Sequence, residues 1–187
     1  MSDDQAMNFG PLTGLIGTWA GGNGMDVVPE SDGIEHSPFF ETLIFEAVGD
    51  VTNAGEQTLM VLRYHQSVSR QSNGEVFHDE TGYWMWDEAA GIVMHSLVIP
   101  RGVALLAGGG ATTEADGTVI LQVEAGIDNA QWGIVQSPFM QEKARTTAFT
   151  HNIRLSGDSL SYNETTTLEI YGSTFAHTDK NELTRQS

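Results

Sequence analysis

The sequence predicts an all-β domain, and three observations lead to this fold class. First, short segments rich in β-branched and aromatic residues recur along the chain, which is the composition typical of strands. Second, clusters of Gly, Asn, Asp and Ser separate most of these segments, as expected of tight turns. Third, apolar and polar residues alternate within several segments, while apolar residues at helical spacing are scarce.

One short helix and a series of strands are predicted in chain order. The helix covers the closely spaced apolar residues from Phe9 to Ile16. Strands are predicted over Thr42–Glu46, Leu59–Tyr64, Gly82–Trp86, Val93–Ile99, Val103–Ala107, Val119–Val123, Trp132–Gln136, Arg145–Leu155 and Ser159–Tyr171. Turns are predicted at Gly49-Asp50, Asn53-Ala54-Gly55, Ser72-Asn73-Gly74, Asp116-Gly117 and Ser156-Gly157-Asp158.

About eight to ten short antiparallel strands fit either a β-sandwich or a closed barrel. A barrel removes unpaired strand edges and can enclose a small ligand. Periodicity shows which residues share a face of a strand, but it does not choose between these two architectures.

Length and composition limit the classes of protein that this chain can belong to. Its 187 residues suit a single domain over 1–187, with a disordered or helical start at about 1–11. It carries 8 basic and 25 acidic residues, a formal net charge of −17, so phosphate backbones and anionic membranes would repel it. We therefore expect no nucleic-acid partner. The absence of cysteine excludes disulfides, thiolate metal sites and a cysteine nucleophile.

The start of the chain gives no sign of export. Residues 1–10, MSDDQAMNFG, are acidic and lack the apolar core of a signal peptide. The sequence also has no run of about 18 apolar residues, so we expect no membrane insertion. A cytoplasmic location follows as an expectation.

Several motifs, in the same order along the chain, resemble those of the nitrobindin family. They are Gly17-Thr18-Trp19-Ala20-Gly21 with Pro29 after it, Phe40-Glu41 before a strand containing Phe45, Glu80-Thr81-Gly82-Tyr83-Trp84, the hairpin Leu155–Tyr162, Thr165-Thr166-Thr167, and a late His177 followed by Leu183. The resemblance extends from about Leu12 to Arg185. This family includes the haem-binding domain that is fused to a zinc-finger protein in animals.

The resemblance implies both a fold and a function. The implied fold is an antiparallel up-and-down β-barrel of about ten strands, of the calycin or fatty-acid-binding type, with a short N-terminal helix. The implied cofactor is haem b, held by one histidine near the C-terminus, and His177 is at the position of that axial ligand. In such proteins ferrous haem binds nitric oxide, and ferric haem isomerises peroxynitrite to nitrate.

The chain also departs from the family pattern. Asn23 stands where a third glycine is expected, and Glu46-Ala47 stand where a histidine is usual. His177-Thr178-Asp179 replaces the family's His-Leu, and the segment 126–143 is longer than in typical members. These differences indicate a divergent branch.

Six residues are candidates for the ligand site that the resemblance implies. His177 is the expected iron ligand, and Asp179 or a backbone carbonyl is expected to orient its ring. Thr18, Trp19, Phe45, Arg101 and His151 are expected around the ligand. Arg101 follows Pro100 in a turn between two strands, where its guanidinium can pair with a ligand carboxylate.

The direction of His151 is open. It shares a strand face with Phe149, Ile153 and Leu155, which would point it into the barrel. The favoured interpretation is the outward orientation, on a strand whose threonines would face inward. His78 and Glu80 also share a face, but one such pair does not specify a metal site.

The sequence therefore supports three functional hypotheses. The first is a nitrobindin-like barrel that binds haem b through His177 and handles nitric oxide or peroxynitrite. The second is a haem-free carrier or sensor of a fatty acid or another small lipophilic molecule. The third is a β-sandwich interaction domain without a cavity. A homodimer is possible in each case.

Overall fold

A computed structural model of the chain describes residues 7–30 and 33–187. Most of the start predicted to be disordered or helical, residues 1–6, lies outside these ranges. The elements are a 3₁₀ helix over Gly10–Leu15, strands β1 Gly17–Glu30, β2 Gly33–Asn53, β3 Gln57–Arg70, β4 Val76–Asp87, β5 Ile92–Ile99, β6 Val103–Thr113, β7 Val119–Gly126 and β8 Ile134–Gln136, helix α1 Pro138–Lys143, and strands β9 Ala144–Ser156, β10 Ser159–Ile170 and β11 Ser173–Arg185.

Ten of these strands close into an antiparallel barrel. Consecutive strands pair from β1 to β7, β7 pairs with β9, and β9, β10 and β11 follow before β11 returns to β1. The short strand β8 lies outside this ring and pairs with the start of β6. The predicted barrel of about ten strands is therefore confirmed, and the sandwich alternative is excluded.

Glycine and turn residues explain most of the strand boundaries. The predicted turn at Asn53-Ala54-Gly55 is confirmed, and Ala54 and Gly55 both have positive φ, at 52° and 71°. The predicted turn at Gly49-Asp50 is wrong, because β2 continues through it. The pairing of β2 with β3 shifts register between Ala47 and Gly49, and Gly49 takes a φ of 117° there. The glycine accommodates a bulge in the strand instead of a turn.

The 3₁₀ helix and Trp19 close one end of the barrel. Leu12, Leu15 and Trp19 are fully buried. The Trp19 Nε1–H donates to the Leu15 carbonyl at 2.7 Å, and the Arg185 guanidinium lies 4.2 Å from the centre of the Trp19 ring. This end therefore combines apolar burial with a satisfied indole N–H. In the described part of the chain, neither helix is long or apolar enough to cross a bilayer.

Candidate functional site

The interior of the barrel changes from apolar to polar along its axis. Side chains alternate along a strand, so the inward residues of β11 form a single column. From the closed end outward this column is Leu183, Asn181, Asp179 and His177, with the first two fully enclosed. A polar layer therefore lies above the apolar core, and a cavity lies above that layer.

The cavity at the open end has a volume of about 280 Å³. One wall is apolar and consists of Phe77, Leu97, Ile99, Val103, Leu105, Met140, Phe149, Leu168 and Ile170. The other side carries charged and titratable groups: Asp26, His78, Glu80, Arg101, Glu164, His177 and Asp179. An apolar wall facing a few convergent polar groups is typical of small-molecule sites.

His177 stands in the polar wall and is tied to a carboxylate from the neighbouring strand. Its Nε2 lies 2.8 Å from Oδ1 of Asp26 on β1 and 3.6 Å from Oδ2 of Asp179. Burial alone lowers the pKa of His177, but the hydrogen bond to Asp26 and the charges of Asp179 and Asp26 raise it above its ordinary value. Asp26, rather than the expected Asp179, is the nearer partner of the ring.

A hydrogen-bonded chain connects this wall with the centre of the barrel. His78 Nε2 lies 3.4 Å from Oε2 of Glu80, and the Tyr64 hydroxyl donates to Oε1 of Glu80 at 2.5 Å. His95 Nε2 lies 2.8 Å from the same hydroxyl. Because Tyr64 donates to Glu80, His95 must donate through Nε2. Its Nδ1 is then unprotonated, and this buried atom has no hydrogen-bond partner among the described residues.

Glu41 is a buried carboxyl group with three donors around it. Gln66 donates to Oε1 at 2.8 Å, while Tyr162 and Asn181 donate to Oε2 at 2.9 and 2.8 Å. Burial outweighs these hydrogen bonds and raises the pKa of Glu41. This group belongs to the polar layer beneath the cavity and holds strands β2, β3, β10 and β11 together.

Glu164 and His151 form a second buried acid–base contact. His151 Nδ1 lies 3.2 Å from Oε2 of Glu164, and Glu164 lines the cavity. Burial, followed by the charges of Glu80 and other carboxylates, raises the pKa of Glu164 well above its ordinary value. Burial lowers the pKa of His151 to about 4. Both groups are therefore held near their neutral forms at neutral pH.

The structure separates the six candidate residues into three groups. His177 and Arg101 line the cavity, and an Arg101 Nη2–H donates to the Phe77 carbonyl at 3.3 Å. His151 points inward and is only 8% exposed, so the favoured outward orientation is wrong. It lies among the rings of Trp84, Phe149 and Tyr162.

The other three candidates lie away from the cavity. Trp19 and Phe45 belong to the buried apolar core, and neither is among the described residues that line the cavity. Thr18 precedes the inward-facing Trp19 and therefore belongs to the opposite face of β1. Trp19 and Phe45 therefore pack in the barrel core, and contact of these three residues with a ligand stays a prediction.

Sequence reasoning missed Asp26 and Glu164 and gave little weight to Glu80. Asp26 follows a register shift in β1, between Gly21 and Gly24, which hides its inward direction from simple alternation. Glu164 lies two residues from Tyr162 and four from Leu160 on β10, so alternation could have placed it inside. A buried carboxylate is unusual enough that composition alone favours the solvent-facing assignment.

Comparisons with known proteins agree with the barrel fold. A family model described as a THAP4-like, heme-binding beta-barrel domain matches residues 8–185. The crystal structure of Rv2717c from M. tuberculosis is similar to this chain, with 25% sequence identity and a TM-score of 0.70. The match covers 94% of this chain and 95% of that one. No curated protein gives a significant match.

Proposed function

The chain belongs to the THAP4-like haem-binding β-barrel family, and we propose that it binds haem b at the open end of its barrel, with His177 as the iron ligand. The observation that carries this proposal is the position of His177, whose imidazole lines a cavity with a broad apolar wall. A porphyrin needs such a wall, and histidine is a usual axial ligand of haem iron.

The residues present fit this cofactor in their chemistry. Asp26 accepts a hydrogen bond from Nε2 of His177, and a carboxylate partner on one ring nitrogen orients an imidazole that ligates through the other nitrogen, here Nδ1, and raises its basicity. Arg101 supplies a guanidinium in the same cavity that suits a propionate. The hydrogen bond between Nε2 of His177 and Asp26 would have to break if iron bound this nitrogen.

The chain's own residues would control what reaches the haem. When bound, haem would supply binding of nitric oxide in its ferrous form or isomerisation of peroxynitrite to nitrate in its ferric form. The apolar wall, with Leu97, Phe149 and Leu168, would keep bulk water away. The carboxylates of Asp26 and Glu80 would oppose entry of anions, so we expect neutral nitric oxide to be favoured over peroxynitrite anion.

Titration with haemin tests this proposal. The haem-free protein should develop a Soret band that saturates at one haem per chain, and His177→Ala should abolish or shift it. The matched control is His65→Ala, which removes an exposed histidine paired with Asp79 on the outer surface. Absence of saturable binding by the wild-type protein would refute the proposal, as would an unchanged spectrum in His177→Ala.

The second candidate function is that of a haem-free carrier of a small lipophilic molecule. The bond between His177 and Asp26 favours it, because a carboxylate already engages one nitrogen of the ring. The acidic side of the cavity, with Asp26, Glu80 and Asp179, favours ligands with a neutral or cationic head over fatty carboxylates. A ligand at about 100 times its Kd should add about 2.7 kcal/mol to the free energy of unfolding, which thermal unfolding would detect.

A further inference from the structure

Three potential metal ligands converge where β1 meets β11. Asp26 on β1 and His177 and Asp179 on β11 each offer one donor atom, and these atoms lie within 4.8 Å of one another. The Nε2 of His177 is 2.8 Å from Asp26 Oδ1 and 3.6 Å from Asp179 Oδ2. At bond lengths of about 2.1 Å, donors around a tetrahedral ion lie about 3.4 Å apart. The observed spacing therefore needs only small side-chain movements to hold one ion.

A small separate cavity lies beside these donors. Its volume is about 30 Å³, and Asp26, His78, Glu164, His177 and Asp179 are among the residues that line it. This is space for one water molecule or one ion rather than for an organic group. The three donors thus face a space of the right size, with a second imidazole at its border.

The charge around this space favours a cation. Glu80 also lines the larger cavity next to it, and Arg101 is the one arginine or lysine among the described residues that line that cavity. Next to Glu164, the 8%-exposed ring of His151 has no hydrogen-bond partner within the described residues, although its Nδ1 lies 3.2 Å from that carboxyl group.

We propose that Asp26, His177 and Asp179 bind one first-row divalent cation, such as Zn²⁺ or Mn²⁺, in the haem-free barrel. One imidazole and two carboxylates form a mixed nitrogen and oxygen donor set that suits these ions. His78 lines the same space and offers a further imidazole nitrogen. The proposal does not rest on haem binding, but the two ligands exclude each other because both use His177.

Calorimetric titration of the chelator-treated protein with Zn²⁺ and Mn²⁺ tests the site. We expect one ion per chain, and a loss of at least tenfold in affinity for Asp26→Asn and for Asp179→Asn. The matched control is Asp79→Asn, because Asp79 pairs with His65 at 2.9 Å on the outer surface, and no third donor among the described residues joins them. Its affinity should equal that of the wild type. No saturable binding, or equal affinity in all variants, would overturn the proposal.

Haemin titration of the same variants distinguishes this site from the haem site. Asp26→Asn and Asp179→Asn should lose the divalent cation but keep the Soret band, whereas His177→Ala should lose both ligands. If haemin fails to bind while Zn²⁺ binds through Asp26 and Asp179, only the haem proposal fails. If a carboxylate variant does not fold, crystals of the wild-type protein soaked in Zn²⁺ decide the question. An anomalous peak between the three side chains supports the site, and its absence overturns it.

Discussion

The replacement of His151 by phenylalanine isolates the effect of a buried histidine on acid stability. The His151 ring makes edge contacts with Trp84, Phe149 and Tyr162, at centroid distances of 5.5 to 6.1 Å. Both ring nitrogens are buried without a hydrogen-bond partner in the described part of the chain. Phenylalanine keeps an aromatic ring in the same place and removes the group that takes up a proton.

The expected size of the effect follows from the pKa of His151. Burial lowers this pKa from 6.5 to about 4, so the unfolded chain binds a proton more readily than the folded protein. The associated stability is fully present above pH 6.5 and is lost as the pH falls toward 4. At about 1.36 kcal/mol for each unit by which the pKa is lowered, protonation of His151 should reduce the free energy of unfolding of the wild-type protein by about 3 kcal/mol.

Urea unfolding at pH 7, 6, 5 and 4 measures the difference directly. Other titrating groups act in both proteins. The difference between the wild type and His151→Phe in how the free energy of unfolding changes with pH therefore reports on His151. His151→Phe should gain about 3 kcal/mol relative to wild type between pH 7 and pH 4. The control His36→Asn removes an exposed histidine and should follow the wild-type curve. Equal losses of stability in His151→Phe and wild type would refute the reasoning.

Three further substitutions test the packing and the polar layer. Gly109→Ala would place a Cβ 2.0 Å from the Gln122 carbonyl oxygen, whereas nothing lies within 4 Å of a Cβ at Gly110. Thermal and urea unfolding should show that Gly109→Ala lowers the free energy of unfolding by about 1–3 kcal/mol or more. The control Gly110→Ala should lower it by less than about 1 kcal/mol. Trp19→Ala should cost about 3–5 kcal/mol in urea unfolding, since the ring is fully buried; a loss under about 1 kcal/mol would contradict its role at the closed end. Burial raises the pKa of Glu41 above 4.5, so its contribution to stability is lost as the pH rises above that value, and Glu41→Gln should reduce this dependence in unfolding measured from pH 4 upward.

Local patterns predicted the elements of this fold well. Alternation along Arg145–Leu155 and the turn residues at Ser156-Gly157-Asp158 match β9 and the turn to β10. The errors occur where a residue has two structural uses. A glycine followed by aspartate serves a turn or a bulge equally well, and at Gly49 pairing with β3 on both sides selects the bulge.

The candidate site was predicted only in part, because some of its residues are far apart in the sequence. His177 and Arg101 could be proposed from a motif and from a turn, because both are local features. The partner of His177 is Asp26, which lies 151 residues away in sequence. It follows a register shift in β1, so no local pattern shows its direction.

What the sequence determined by itself is the strand character, the turns and the apolar and polar faces, because these depend on neighbours within a few residues. Its motifs also pointed to a closed barrel and to a late histidine. Only the tertiary structure decided that β1 meets β11 and that Asp26, His177 and Asp179 face one space. It also decided that His151 and Glu164 are enclosed together. Closure of the barrel sets these contacts, since the energy of burying a charged group depends on which distant strands surround it.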